Sequence, residues 1–304
     1  NAGVEGVLLV QSLVLLVFLP AGIWSIRRDL VGHIDFRLTK RLVAFGAPFI
    51  LTEMALWLFS SIDRWMLAAM VGPQETGLYS AAFRISVLVS FVSMAFGMAW
   101  SPYAVKLQGE YPTRFKAMYA EILLLLLVVM LAIGGGVALF SSELILLILP
   151  EEYSAASAAL PVLAFCVIIQ ASQQVTAVGI SMSGKTHLFV YLVWATAGIN
   201  ILLNVPLIQY HGVVGSAWAT LISHLLLTIG YLLCSSYVYP IPYPIPRLLG
   251  LCALAAGLLG IALRLQVYEP SIGLSILKLA LLLACLLLAL RTLRLQDLLH
   301  LSEK

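Results

Sequence analysis

Four charged side chains, Glu53, Asp63, Arg64 and Arg84, fall inside long apolar runs. A charge at the centre of a membrane helix costs roughly 3 kcal/mol, so each is either neutralised by a partner or kept for a function. Glu53, Trp57, Ser60 and Arg64 recur at i, i+4, i+7 and i+11, which is one face of a helix. At ~1.5 Å per residue the carboxylate and the guanidinium lie ~16 Å apart along the axis. A face that is acidic at one end and basic at the other suits a water-filled cavity. Asp63 and Arg84 stand on the two arms of a hairpin closed by Gly72–Gly77, at similar distances from the turn. Two readings fit that placement. A buried ion pair would hold the hairpin and leave Arg64 as the freer cation for an anion; otherwise both charges face a cavity.

Uncharged polar stripes add a second set. Gln170, Gln173, Gln174 and Ser181 share a face, and Thr196, Asn200 and Asn204 follow at steps of four. Amides in hydrocarbon need partners, so these stripes face protein or water. They could bond between helices, or line a sugar site, because an amide both donates to and accepts from hydroxyls. Ser86, Ser90, Ser93, Gly97 and Ser101 form a stripe of small residues that permits close packing. Glu121 starts its apolar run near an interface and reads as interfacial; Lys278 lies about two turns into the last run and reads as reaching outward to the headgroups.

The elements that carry these residues are membrane helices. Hydrophobic residues make up 62% of the 304 and charged residues only 10%, with a mean hydropathy of +1.04. A soluble domain carries about 25% charged residues, so lipid must serve as solvent for much of this surface. Runs of about 20 apolar residues, enough to span a bilayer, occur near 4–24, 42–71, 78–105, 116–140, 156–182, 187–208, 213–236, 247–265 and 272–291. The fold class is therefore an all-α integral membrane protein of about nine spans. The second and third exceed what a span needs and should tilt or project. Pro48, Pro102, Pro161 and Pro206 can bend their helices.

Lys and Arg alternate in sidedness across these runs. Arg27, Arg28, Arg37, Lys40, Arg41, Lys106, Arg114, Lys116, Lys185, Arg247, Arg291, Arg294 and Lys304 fall on one side, and Arg264 alone on the other. The positive-inside rule makes the first side cytoplasmic, with the C-terminus inside and Asn1 outside. Ser25–Arg41 alternates charged and apolar residues (Ile26, Leu30, Ile34, Leu38); it is a basic topogenic loop or an amphipathic surface helix. Tyr237–Arg247 (YVYPIPYPIPR) has alternating prolines that favour an extended connector. The expected organisation is a span at 1–24, a basic linker at 25–41, a six-helix body at 42–236, a connector at 237–246 and a two-helix extension at 247–304.

Other chemistries find little support. The net charge of +3 is spread out and is no nucleic-acid signal. Cys166, Cys234, Cys252 and Cys285 sit in apolar runs without CxxC spacing, which makes them buried thiols and not a disulfide or zinc framework. Gly179–Thr186 (GISMSGKT) matches the phosphate-loop pattern, yet it straddles a helix end with no strand before it. His224 is the one histidine within a span and reads as a packing residue. No catalytic constellation, resident cofactor or metal site is expected, and no enzyme.

A resemblance lies between Leu42 and Leu107. FGAPFI (Phe45–Ile50) opens a Trp-containing span, the pair Asp63–Arg64 follows, then GLYSAAFRIS (Gly77–Ser86) and FGMAWSPYAV (Phe96–Val105). This order resembles the seventh and eighth helices of polysaccharide flippases of the O-antigen and exopolysaccharide type. These belong to the multidrug/oligosaccharidyl-lipid/polysaccharide exporter superfamily. The resemblance implies a C-terminal fragment: the last helix of an N-lobe, a six-helix C-lobe and two extra helices. It implies flipping of undecaprenyl-diphosphate-linked oligosaccharide across the bacterial inner membrane by alternating access, driven by a proton or sodium gradient, within polysaccharide biosynthesis. The implied partners are the lipid-linked oligosaccharide, membrane lipid and polysaccharide assembly proteins. Arg64 and Arg84 would suit the diphosphate; Gln170, Gln174, Asn200 and Asn204 would suit the glycan, with Glu53 and Asp63 in the same cavity. One rival is a multidrug cation antiporter of that superfamily, which needs an acidic cavity. Another is a membrane glycan-assembly enzyme, although the longest outer loop has about fifteen residues and holds no evident acid–base pair. A third is a scaffold that transports nothing.

Overall fold

A computed structural model describes residues 3–27 and 35–293, and every regular element among them is helical. The helices are α1 (Gly3–Ile26), α2 (Phe36–Met70), α3 (Pro73–Glu110), α4 (Phe115–Leu139), α5 (Ser141–Ile148), α6 (Leu160–Thr176), α7 (Val178–Ser183), α8 (His187–Val238), α9 (Ile245–Leu265) and α10 (Ile272–Leu290), with a 3₁₀ segment at Glu151–Ala158. Six helices among the described residues are long and apolar enough to cross a membrane, and Leu9–Ser25 is a shorter apolar helix. The architecture is that of a multi-pass integral membrane protein. Asn1–Ala47 and Pro48–Lys304 form two compact units.

In the first unit, α1 exposes Leu15, Phe18 and Trp24 alike. An apolar surface all round a helix suits lipid. Phe36–Arg41 already belongs to α2, so that half of the basic stretch is no separate surface helix. Arg28, Leu30 and Ile34 lie outside the described residues, as do Arg294 and Lys304 at the other end of the chain.

The second unit is organised around α6. Leu160–Ile168 is buried without interruption, and the helix packs on α4, α8 and α3 at once. Such a helix has no solvent face to keep polar, which accounts for its continuous apolar start.

Helix α8 is 52 residues long by its hydrogen bonds, but Gly212 has φ 54° and ψ −130°, and the helix folds there into two arms. Only glycine holds that backbone geometry without strain. The arms come so close that a Cβ on Gly215 would lie 1.8 Å from the carbonyl oxygen of Leu207. The two spans expected at 187–208 and 213–236 are these two arms.

The connection between α4 and α6 is structured. Helix α5 and the 3₁₀ segment fill it, and Ile145 and Ala156 are fully buried. The non-helical part of the proline-rich stretch is shorter than 237–246. It covers Tyr239–Pro244, because α8 runs on to Val238 and Pro246 sits in the first turn of α9. Proline is tolerated there since its missing N–H has no helical acceptor to lose.

The last two helices are fastened to this body at both faces. Arg247 on α9 pairs with Glu121 on α4 at 2.8 Å. At the far end of α9, Gln266 donates to Ser141 Oγ at 2.7 Å and to Ser157 O at 2.6 Å. Lys278 on α10 pairs with both carboxylate oxygens of Glu143 at 2.6 and 2.9 Å. Lys278 is 1% exposed, so it does not reach outward to the headgroups as its position suggested, and Glu121 is buried and not interfacial. Each charge is neutralised inside the protein, which removes most of the cost of its depth.

Candidate functional site

Asp63 lies at the centre of the polar structure. Ala55, Phe59, Asp63 and Leu67 form the buried face of α2 at steps of four. This register carries the carboxylate inward, where it is 3% exposed. Its oxygens accept from Tyr79 Oη on α3 at 2.9 Å, from Asn204 Nδ2 on the first arm of α8 at 2.9 Å, and from Thr220 Oγ1 on the second arm at 2.6 Å.

A second layer orients those donors. Asn204 Nδ2 also reaches Asn200 O at 3.0 Å and Asn200 Oδ1 at 3.1 Å, while Ser216 Oγ donates to Asn204 Oδ1 at 2.9 Å. Thr220 Oγ1 also lies 3.0 Å from Ser216 O. Asn200 and Asn204 are both fully buried, and Asn200 Nδ2 has no hydrogen-bond partner. The result is a buried cradle of two hydroxyls and an amide nitrogen that donate to one carboxyl group and tie it to α3 and both arms of α8.

The expected Asp63–Arg84 ion pair is not formed. The turn is shorter than Gly72–Gly77: Gly72 has φ 100° and α3 starts at Pro73. With the turn centred on Val71 and Gly72, Tyr79 and not Arg84 comes level with Asp63. Arg84 is exposed and makes no ion pair among the described residues. It lines an open pocket of about 500 Å³ with Ser80, Ile148 and Tyr153. Arg64, one residue beyond Asp63, points off the buried face. Its guanidinium donates to Ser60 O at 2.9 Å and lies 5.0 Å from the centre of the Phe83 ring. A ring face and a carbonyl hold a cation without cancelling its charge. Both arginines thus keep their charge available to an anion.

The face predicted for α2 is present: Glu53, Trp57 and Ser60 are exposed and Arg64 is half-buried. The amide stripe on α6 divides. Gln170 and Gln174 are exposed; Gln173 turns inward and donates to His224 O at 3.3 Å and Thr228 Oγ1 at 3.1 Å. His224 also packs on Phe59 with ring centres 4.7 Å apart, the packing role its position suggested. Thr196 bonds back to Leu192 O in its own helix. On α3, Ser86 and Ser93 are buried, as a close-packing stripe requires.

Tyr79, Ser216 and Thr220 were missed in the sequence. A signal for two of them existed: Ser216 and Thr220 are one turn apart, and Thr220 mirrors Asn204 about Gly212. Gly179–Thr186 covers the end of α7 and the turn into α8, with Gly184 in the left-handed conformation, and forms no phosphate loop. The four cysteines are free thiols, and no cluster of metal-ligating His, Cys, Asp and Glu occurs among the described residues.

A family model described as MatE matches residues 48–205, just over half of the chain. No match is found among curated proteins or solved structures. The matched stretch runs from Pro48 in α2 through α3–α7 into the first arm of α8, and with it go Glu53, Asp63, Arg64, Arg84, Asn200 and Asn204.

Proposed function

The chain belongs to the MatE family, whose members are membrane transporters, and on that premise we propose that it translocates undecaprenyl-diphosphate-linked oligosaccharide. The observation that supports this substrate is the state of the two arginines. Arg64 lies over the ring of Phe83, Arg84 is the next residue of α3 and lines its own pocket, and neither makes a salt bridge among the described residues. A diphosphate is the ligand class that such a pair of uncancelled cations attracts, Arg through its planar fork. Exposed amides at Gln170 and Gln174 offer donors and acceptors to glycan hydroxyls.

The Asp63 cradle takes a different part. It is buried and holds one carboxyl group, with the oxygens of Tyr79, Asn200, Ser216 and Thr220 within two hydrogen bonds of it. A proton or a hard monovalent cation fits that chemistry, since hard cations take oxygen ligands. We assign it the coupling ion of the cycle. Its donors come from α3 and both arms of α8, so filling or emptying it alters the joint between three helices. That is how a local charge event can bias an alternating-access equilibrium.

A second reading, a multidrug cation antiporter, draws on the exposed Glu53. The two are separated in a bacterial strain lacking its own polysaccharide flippase. Return of surface polysaccharide, lost again with Arg64→Ala plus Arg84→Ala at unchanged membrane expression, is the expected result. Full polysaccharide with that double variant removes the cationic site. Efflux of cationic dyes without any polysaccharide favours the antiporter.

A further inference from the structure

A second feature is built from other residues. Between α4, α6, the second arm of α8 and α9 runs an apolar slot of about 440 Å³. Leu131, Phe165 and Ile168 form its floor, and Cys252, Ala256 and Gly260 form the exposed lip on α9. These three lip residues recur every four positions, so a row of small side chains keeps the slot open along one stripe of the helix. The slot follows α9 from Leu251 to Leu263. At ~1.5 Å per residue that is about 18 Å, a little more than half of the ~30 Å hydrocarbon core. A single leaflet, and hence the chain of one lipid, has that depth.

The next residue on the same stripe is Arg264, four positions beyond Gly260 in the last turn of α9. It is exposed, and its side chain has no hydrogen bond or ion pair among the described residues. It is also the one Lys or Arg that breaks the sidedness seen in the other loops. Gln266 pins this helix end to Ser141 and Ser157, which fixes the turn of α9 that carries Arg264, next to Leu263, the last lining residue of the slot on α9. Trp218, which lines the slot, has the amphipathic ring favoured near headgroups.

We propose that this slot with Arg264 is a binding site for one anionic phospholipid. Its chain lies along Cys252–Gly260 and its phosphate rests on Arg264. The surrounding solvent is hydrocarbon, so an apolar slot alone would hold any lipid chain; the cation at its mouth makes the choice of headgroup. The site shares none of its lining with the Asp63 cradle or with the pocket at Arg84, so it acts on the fit of α9 against the body and not on the transported substrate.

The test uses the full chain in nanodiscs and a phospholipid with a diazirine in its chain, carrying a phosphoglycerol or a phosphocholine headgroup. Cross-links are mapped by mass spectrometry. Leu283 and Leu287 on α10, both exposed, serve as reference for ordinary lipid contact. One surface cation is expected to give about a fivefold preference for phosphoglycerol at Leu225 and Cys252–Gly260, with no preference at α10. Arg264→Ala should abolish the preference and leave cross-linking by phosphocholine unchanged. Ala256→Trp should reduce cross-linking at the floor residues with either headgroup. Equal yields for both headgroups, a preference that survives Arg264→Ala, or a slot labelled no more than α10 would each overturn the assignment.

Discussion

Removing the carboxylate of Asp63 separates its structural part from its functional one. Three donors point at it, and leaving a buried donor unmet costs about 1–3 kcal/mol each, so the naive total for Asp63→Ala approaches 6 kcal/mol. The geometry gives a smaller figure. Thr220 Oγ1 already lies 3.0 Å from Ser216 O, and Asn204 Nδ2 already lies 3.0 Å from Asn200 O. Only Tyr79, 1% exposed, loses the acceptor of its hydroxyl proton, with Thr220 left as its polar neighbour. The expected cost is therefore about 2 kcal/mol. Adding Tyr79→Phe removes the orphaned hydroxyl and should return most of that loss, although Tyr79→Phe alone should destabilise by about 1 kcal/mol.

The assay is reversible unfolding of all four forms of this cycle in one bilayer mimetic, beside transport in the complementation strain. Transport should vanish in Asp63→Ala and in the isosteric Asp63→Asn, even though the latter keeps the fold within about 1 kcal/mol. A loss well above 4 kcal/mol for Asp63→Ala, or no recovery on adding Tyr79→Phe, would show that the donors have no second partners to turn to. Normal, gradient-dependent transport by Asp63→Asn would refute the assignment of the coupling ion.

Three further outcomes follow from named contacts. Glu143→Leu alone leaves Lys278 buried without its counter-charge and should cost about 3–5 kcal/mol, Lys278→Met leaves the partly exposed Glu143 and should cost less, and the double replacement should be near neutral; unfolding in nanodiscs measures all three, and additive losses would contradict the pairing. Gly212→Ala places a side chain at φ 54° and ψ −130°, so it should lower stability by about 1–3 kcal/mol, while Gly198→Ala, with open space around it, should not lower it. Gln173→Leu removes the bonds to His224 and Thr228 and should cost about 1 kcal/mol, in line with the modest worth of interhelical bonds in bilayers, with transport retained.

The spans were legible because each carries its own signal, a run of about 20 apolar residues, and such a run needs no knowledge of its neighbours. Registers within a face were legible too: Glu53, Trp57, Ser60 and Arg64 share the exposed side of α2. Partners across helices were not. Asp63 and Arg84 looked opposite each other because opposite charges suggested the match and the turn was drawn too long. A turn that closes at Gly72 shifts one arm against the other and substitutes Tyr79, a residue with no charge to draw notice. Lys278 shows the same limit. Its partner Glu143 sits on a short helix in a loop whose apolar stretch is too brief to announce itself, and only the fold brings the two together. Ser216 and Thr220 were hidden by type, because serine and threonine are common in membrane helices and bond to their own backbone as readily as to a neighbour.

Charge is handled in two ways in this molecule, and the contrast separates scaffold from site. Glu121 with Arg247 and Glu143 with Lys278 are ion pairs with one buried member each, and they join the last two helices to the body. In each pair the two charges offset one another. Glu53, Arg64 and Arg84 lie outside any such pair, and all three retain contact with the surroundings. Hydrocarbon cannot be those surroundings, since each charge would then cost several kcal/mol with nothing to offset it. The surface that bears them must face water, protein or a charged ligand in the working transporter. Asp63 belongs to neither group. It is buried, and its hydrogen-bond partners are neutral. The carboxyl group ties α2, which carries Arg64, to α3, which carries Arg84, and to both arms of α8, so the contacts around it hold together the helices that bear the exposed charges.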